Sequence, residues 1–210
     1  MEGFVRQIIG WREFMRGIYW NKMPEYATLN YFEHNNKLPD WFWTGKTKMS
    51  CLKHSINQSL QYSYAHHIQR LMITGNFALL AGIHPNEIDG WYLGIYIDAL
   101  EWVQITNTRG MSQFADGGIV GTKPYVSSAT YIHKMSHYCG SCYYNKTKKV
   151  GDKACPFNSL YWNFYDKHEN KLAKNPRIGM MYNVWRRMEP QVKADLLEQS
   201  DYYLKHINDL

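Results

Sequence analysis

Apolar positions in this chain recur mostly at three-to-four spacing. Within residues 2 to 20, EGFVRQIIGWREFMRGIYW, the positions Val5, Ile8, Ile9, Arg12, Arg16 and Tyr19 share one face of a predicted amphipathic helix. Residues 21 to 48 break the pattern with turn signals at Pro24, Asn35-Asn36, Pro39-Asp40 and Gly45. Two helices are then expected, Leu52 to Tyr62 and Tyr64 to Leu80, the second carrying Ile68, Leu71, Met72, Phe77 and Leu80 on one side. His84-Pro85-Asn86-Glu87 is a helix start, and that helix is predicted to run to about Gln104. Asn107 to Thr122 reads as a Gly-rich polar loop, Ser127 as the cap of a short helix over Ser128 to Tyr138, and Ser159 to Lys174 as an aromatic-rich helix. Pro190 opens a last helix, Gln191 to Ile207. No convincing strand pattern occurs, so the expected fold class is all-α.

Several polar residues sit on these apolar faces. Arg12 and Arg16 lie one turn apart on the first stripe and need an anion or a carboxylate such as Glu13. His66, His67 and Arg70 open the second His-containing helix, with His67 and Arg70 on one face; a capping role and a catalytic role are both open for the histidines. On the stripe Trp91, Ile95, Asp98, Trp102 the single carboxylate is expected to be buried, which costs several kcal/mol without a cation. Arg70 is the expected partner. Three adjacent rings, Trp41-Phe42-Trp43, sit in the turn-rich segment and must pack on something.

The 210 residues hold 24 Lys and Arg against 18 Asp and Glu, a net charge of +6 that favours a polyanionic partner, nucleic acid before a membrane surface. Lys146, Lys148, Lys149 and Lys153 crowd one insert, Asn145 to Lys153, which is either a solvated loop or a phosphate-contacting one. Rings make up 16% of the chain, a density that suits stacking on planar ligands as well as a core. No run of about 18 apolar residues is present and the first 23 residues lack a secretory pattern, so the cytoplasm is the expected compartment. Under reducing conditions the four cysteines read as ligands before bridges. Cys139 and Cys142 form a CxxC, Cys155 follows with Pro156 directly after it, and Cys51 lies far upstream. A single pair joined by two singletons, with a Cys-Pro, favours an iron-sulfur cluster; zinc, a disulfide and free thiols remain alternatives.

Three stretches together carry a resemblance. WREFMRGIYW looks like the helix opening the catalytic core of the photolyase and cryptochrome family, and HHIQRLMITGNFALLAGIHPNEIDGWYLGIYIDAL is similar to its flavin-embracing segment. The cysteine set resembles that of the iron-sulfur bacterial cryptochromes and photolyases, also called prokaryotic (6-4) photolyases. The match covers essentially the whole chain and corresponds to the C-terminal two-fifths of such a protein.

The resemblance implies a C-terminal FAD-binding helical domain with an iron-sulfur cluster. Residues 1 to 126 would form a partial FAD-binding region and residues 127 to 210 a cysteine-rich region that closes the cluster site with Cys51. It further implies a 4Fe-4S cluster on Cys51, Cys139, Cys142 and Cys155, and FAD beside Arg70, Asp98, Gln104 and Trp91. His67, Met111 and Tyr125 would face the lesion pocket with His66 next to them. Trp91, Tyr92 and Trp43 would pass electrons, and Trp11 and Arg12 would line the DNA face with Lys146, Lys148 and Lys149. Gln104 departs from the Asn or acid usual there and cannot exchange a proton as an acid would. The antenna domain and the loop that grips the flavin phosphates have no counterpart in the chain. The implied activity is light-driven repair of damaged DNA, of (6-4) type, by a flavin-dependent lyase. The alternatives are a cryptochrome-like blue-light photoreceptor with a signalling partner, and a piece that holds a structural cluster and does nothing more alone.

Overall fold

A computed structural model describes all residues 1–210. It is all-helical, with two isolated β-bridges, Asn36 to Ile83 and Asn145 to Ala154, in place of any strand. Helix α1 is continuous over residues 2–22 (Glu2–Arg6, a wider π-helical turn Gln7–Glu13, and Phe14–Lys22). Its predicted stripe is not buried: Val5, Ile8 and Ile9 are exposed, and Met15 alone on this helix enters a core. Arg12 and Arg16 find Glu13, at 2.8 and 3.9 Å.

The turn-rich segment contains a 3-10 turn, Glu25–Thr28, and one short α-helix, α2 (Trp41–Thr44), ended by Gly45 in the left-handed conformation at φ 67°, where a Cβ would be strained. Trp41 and Phe42 are buried there and Trp43 is exposed. Helix α3 (Ser50–Tyr62) has Cys51 in its first turn. Helix α4 spans residues 67–80 through a π-helical turn, Arg70–Gly75. The expected long helix after Pro85 is two: α5 (Pro85–Ile95) and α6, residues 101–112 (Glu101–Ile105 and the π-helical Thr106–Ser112). The chain turns extended at Tyr96 because the Ile97 N–H leaves the helix to donate to the Ser63 carbonyl, 2.9 Å away. Residues 107–112, expected as loop, stay helical. Thr106 and Asn107 return their side chains to the carbonyls of Trp102 and Val103, and Thr108 and Arg109 are buried.

Helix α7 (Ala129–Met135) is shorter than expected and takes Ser128 as N-cap residue, because Ser127 is tied to the side chain of Asn76. Helix α8 (Pro156–Lys167) begins earlier than expected, with Pro156 at its first turn, and stops at His168 before a single turn, α9 (Glu169–Leu172). Helix α10 (Gly179–Arg187), which periodicity did not single out, buries Tyr182 and Trp185, and α11 (Pro190–Lys205) closes the chain against α8. One core of 34 buried residues runs from Phe32 to Leu210 and draws on both sides of residue 126. A smaller cluster of Met15, Leu71, Met72 and Met111 joins α1, α4 and α6.

Candidate functional site

Two cavities meet at His67. The first, about 290 Å³, is lined by Arg70, Tyr92, Asp98, Gln104 and Thr108 among others. Arg70 grips Asp98 with both guanidinium nitrogens, at 2.9 and 3.0 Å. It also donates from Nε to the Ala65 carbonyl at 2.8 Å and lies 3.8 Å over the Tyr96 ring. The pairing matches expectation, but the reason for it does not. Asp98 lies in the break between α5 and α6, and its side chain is 49% exposed, so the pair is a rim feature of the cavity and not a buried charge on a helical stripe. Gln104 is buried and donates to Thr108 Oγ1 at 2.8 Å, leaving its carbonyl oxygen for a ligand.

The second cavity, about 550 Å³, is bounded by Trp11, Arg12, Met15, Trp102 and Met111. It shares His67, Val103 and Asn107 with the first, so these three residues form the wall between them. His67 is held below its ordinary pKa by loss of water around the ring, then by His66 and Arg70. His66 does something else. Its Nδ1 accepts from the Ile68 N–H at 3.2 Å while Gln69 returns a bond to the His66 N–H, a reciprocal cap on α4. Tyr125 packs against the methionine cluster beside this cavity. All three π-helical turns of the chain fall on α1, α4 and α6, the helices that line the two cavities.

The four cysteines line a third, almost wholly apolar cavity, a narrow gap of about 10 Å³ walled by Met49, Ile132, Tyr144 and Phe157. Cys51 and Cys155 are buried, Cys139 and Cys142 half-buried, and none is disulfide-bonded. Cys51 rides on the first turn of α3, Cys139 on the turn Tyr138–Ser141 and Cys155 at the N-cap of α8, so the site is closed by segments far apart in the chain. The Ser50 N–H points at Cys142 Sγ, 3.5 Å away. Burial raises the Cys155 thiol to about 12 and lifts Cys51 well above the ordinary range, with the other thiols adding to both. Without a bound cation these surroundings favour neutral thiols. No three His, Cys, Asp or Glu side chains converge where one bare ion would sit.

No protein-family model matches the chain. It is 52% identical over 208 residues to a (6-4) photolyase of Agrobacterium fabrum, a match that takes in 99% of this chain and 41% of that protein. An uncharacterized protein of Acanthamoeba polyphaga mimivirus is 36% identical over 104 residues, covering 48% of this chain and 77% of the other. This chain belongs to the photolyase family. It corresponds to the C-terminal portion of the Agrobacterium protein and spans about two-fifths of its length.

In this photolyase chain a series of rings runs away from Arg70. Tyr96 contacts Tyr92 at 5.3 Å between centroids, Tyr92 contacts Trp91 at 5.4 Å, Trp91 contacts Phe42 at 5.2 Å, and Phe42 stacks on Trp41 at 4.8 Å. Trp91 and Tyr92 are thus in the series and both buried, whereas Trp43 is 56% exposed and follows Phe42 outside the packed rings. Trp91 lies behind Tyr92 and does not line the Arg70 cavity. Trp102 and Asn107 carried no signal of a site in the sequence, since one fell on the expected helical stripe and the other in an expected loop. Lys146 and Lys149 border a further groove with His133, and Lys148 reaches the Asp152 carbonyl at 3.4 Å. No helix is long and apolar enough to cross a membrane.

Proposed function

We propose that this chain is the C-terminal catalytic part of a flavin-dependent DNA photolyase that repairs (6-4) photoproducts under blue light. The observation that carries the reading is the meeting of the Arg70–Asp98 cavity and the Trp11–Met111 cavity at His67, in a chain with 52% identity to a (6-4) photolyase. Bound at the first cavity, reduced FAD would supply the light-excited electron. Arg70, Asp98 and Gln104 would hold its ring system by charge-assisted and amide hydrogen bonds. A lesion flipped out of the duplex would enter the second cavity between Trp11, Trp102 and Met111, with Tyr125 supporting that wall. His67, touching both cavities, would exchange a proton with the lesion; its lowered pKa leaves the ring mainly neutral before lesion and flavin bind, so their added negative charge would have to draw the proton onto it. His66 positions His67 by fixing the first turn of α4. Trp91, Tyr92 and the exposed Trp43 would bring electrons from the surface to the flavin side.

We assign Cys51, Cys139, Cys142 and Cys155 to a 4Fe-4S cluster; the CxxC spacing, the Cys-Pro and the gathering of all four thiols on one apolar gap support the reading. We assign the cluster a structural role, holding α3 to the Tyr138–Cys155 region. Damaged DNA is the proposed partner, with Arg12, Lys146, Lys148 and Lys149 on phosphates. An antenna domain of the parent protein and a cytoplasmic location complete the reading.

The experiment is a titration of the flavin-loaded protein that carries this chain with two duplexes, one undamaged and one holding a single (6-4) lesion. Tighter binding of the damaged duplex, reduced to the undamaged level by His67→Asn with Met111→Ala, is the expected result. Equal affinity for both duplexes would contradict the repair reading and favour a light-sensing role.

A further inference from the structure

The cap that fixes the first turn of α4 is itself held from outside the helix. Gln69 Oε1 accepts from the His66 N–H at 2.9 Å, and because a backbone N–H can only donate, the NH2 end of that amide faces the other way. That end donates to the Tyr138 hydroxyl and to Gln58 Oε1, both at 3.1 Å, while Gln58 Nε2 reaches back to Gln69 Oε1 at 3.3 Å. Both lone-pair sites and both N–H bonds of the Gln69 side chain are therefore used, and its amide has one orientation. His67 depends on this arrangement. The Ile68 and Arg70 N–H groups that follow it bond to His66 Nδ1 and the His66 carbonyl at 3.2 and 3.1 Å, so the turn that aims the His67 ring between the two cavities is the turn that Gln69 holds.

Both outside anchors of Gln69 start at the cysteine site. Tyr138 directly precedes Cys139 in the turn Tyr138–Ser141, and its ring lines the cysteine gap. Gln58 lies on α3, where Cys51, His54 and Gln58 fall at i, i+3 and i+7 on one face. The middle residue of that row, His54, stacks on the Tyr138 ring at 5.5 Å between centroids and 15° between planes. Two side-chain tracks thus leave the cysteine site, one from Cys139 through Tyr138 and one from Cys51 along α3. His54 ties them together, and they meet at Gln69.

We propose that Tyr138 and Gln58 are positioning residues for His67: through Gln69 they fix the first turn of α4, so the arrangement of the cysteine site governs the direction and hydration of the His67 ring. The functional meaning of this coupling rests on the reading of His67 as the lesion-facing histidine; the coupling itself needs neither lesion nor light. Tyr138→Phe isolates it, because the variant keeps the ring, its stack on His54 and its wall of the cysteine gap, and deletes only the acceptor for Gln69. A residue that served packing alone would lose nothing by that change.

The test uses the flavin- and iron-loaded protein that carries this chain, with Tyr138→Phe, Gln58→Leu, Gln69→Leu and Tyr138→Phe/Gln69→Leu as variants. Iron per chain and the unfolding midpoint check that each is folded. Hydrogen exchange, followed by mass spectrometry on peptides spanning residues 66–72, reads the cap. NMR of ring-labelled histidine, with the His67 signal assigned by its loss in His67→Asn, reads the ring. Tyr138→Phe is expected to speed exchange in the first turn of α4 about fivefold, the loss of one hydrogen bond. It should also raise the His67 midpoint toward the ordinary histidine value as water reaches the ring, since His66 and Arg70 on α4 and Arg12 across the cavity on α1 are unchanged. In the Gln69→Leu background Tyr138→Phe should add nothing, because the hydroxyl acts through that amide. Normal exchange and an unmoved His67 midpoint in Tyr138→Phe, or a full further effect in the double variant, would overturn the proposal. Should Tyr138→Phe shed its iron, Gln58→Leu decides, as Gln58 touches no wall of the cysteine gap: the same two changes with iron retained are expected, and no change would overturn the proposal. Binding of a (6-4) duplex by the same proteins separates the two claims. No lesion preference in the unsubstituted protein, with the exchange and ring effects present, refutes repair and leaves the coupling; preference without those effects refutes the coupling and leaves repair.

Discussion

His34 and His168 give the fold a measurable acid response. Their Nε2 atoms lie 3.2 Å apart, each residue is at most 4% exposed, and Phe32 and Phe164 cover the His168 ring at 4.3 and 4.8 Å. One ring donates and the other accepts, an arrangement two neutral rings satisfy and two imidazolium rings cannot. Loss of water holds both imidazoles down at about 3; His168, Lys167 and Lys171 push the same way on His34, and the two lysines on His168. In the unfolded chain each titrates near 6.5. The unfolded state therefore binds protons below about pH 6.5 while the folded state does not until about 3, so stability is full above that window and falls as pH drops through it. Between about pH 7 and about pH 5.5 each histidine removes on the order of 1 kcal/mol, about 2 to 3 for the pair. Guanidinium unfolding of the parent and of His34→Gln/His168→Gln at both pH values reads this directly, because carboxylates and cofactors act equally on both proteins. The parent should lose about 2 to 3 kcal/mol more than the double variant. Equal losses would refute the argument that the pair is buried neutral.

Three further outcomes follow from the geometry. Asp98→Ala should lower stability by no more than about 1 kcal/mol, since Asp98 is half-exposed and Arg70 keeps Ala65 and Tyr96; flavin retention should fall far more, as flavin absorbance after gel filtration would show. Asp89→Ala should be worse, by about 3 kcal/mol in thermal or chemical unfolding, because Arg109 sits 2% exposed against Asp89 at 2.7 Å and would keep only the Leu29 carbonyl and the Asn86 side chain, with no carboxylate. Cys51→Ala and Cys142→Ala should lower iron per chain equally despite their different burial, since each opens the same site; retention of iron by either one removes it from the ligand set.

The chemistry was more legible than the geometry that delivers it. CxxC spacing and a Cys-Pro drew attention to four cysteines that the fold does bring to one apolar gap, and the same Pro156 also starts α8. Arg70 and Asp98 were paired correctly from charge, but through a continuous helix that does not exist. Gly94 lies just before the break at Tyr96, but Gly90 in the same helix is equally permissive and breaks nothing; a tertiary bond from Ile97 to Ser63 makes the break, and only the folded chain holds that carbonyl. Residues 107–112 look like loop by composition, yet burial of Thr108 and Arg109 overrides their weak propensity. The pairs His34–His168 and Asp89–Arg109 join residues far apart in sequence, and nothing in local pattern brings such partners together. The stripe on α1 was legible as amphipathic, but its apolar side meets no partner within these residues.

Light-driven repair is the central claim, and turnover of a single defined lesion tests it most directly. An oligonucleotide with one (6-4) photoproduct is incubated with the reduced, flavin-loaded protein that carries this chain, with and without blue light, and its products are separated by chromatography. Intact bases are expected in the light only, in amounts exceeding the protein, with His67→Asn abolishing them. Lesion left unchanged in light as in darkness, with reduced flavin present throughout, would contradict the claim.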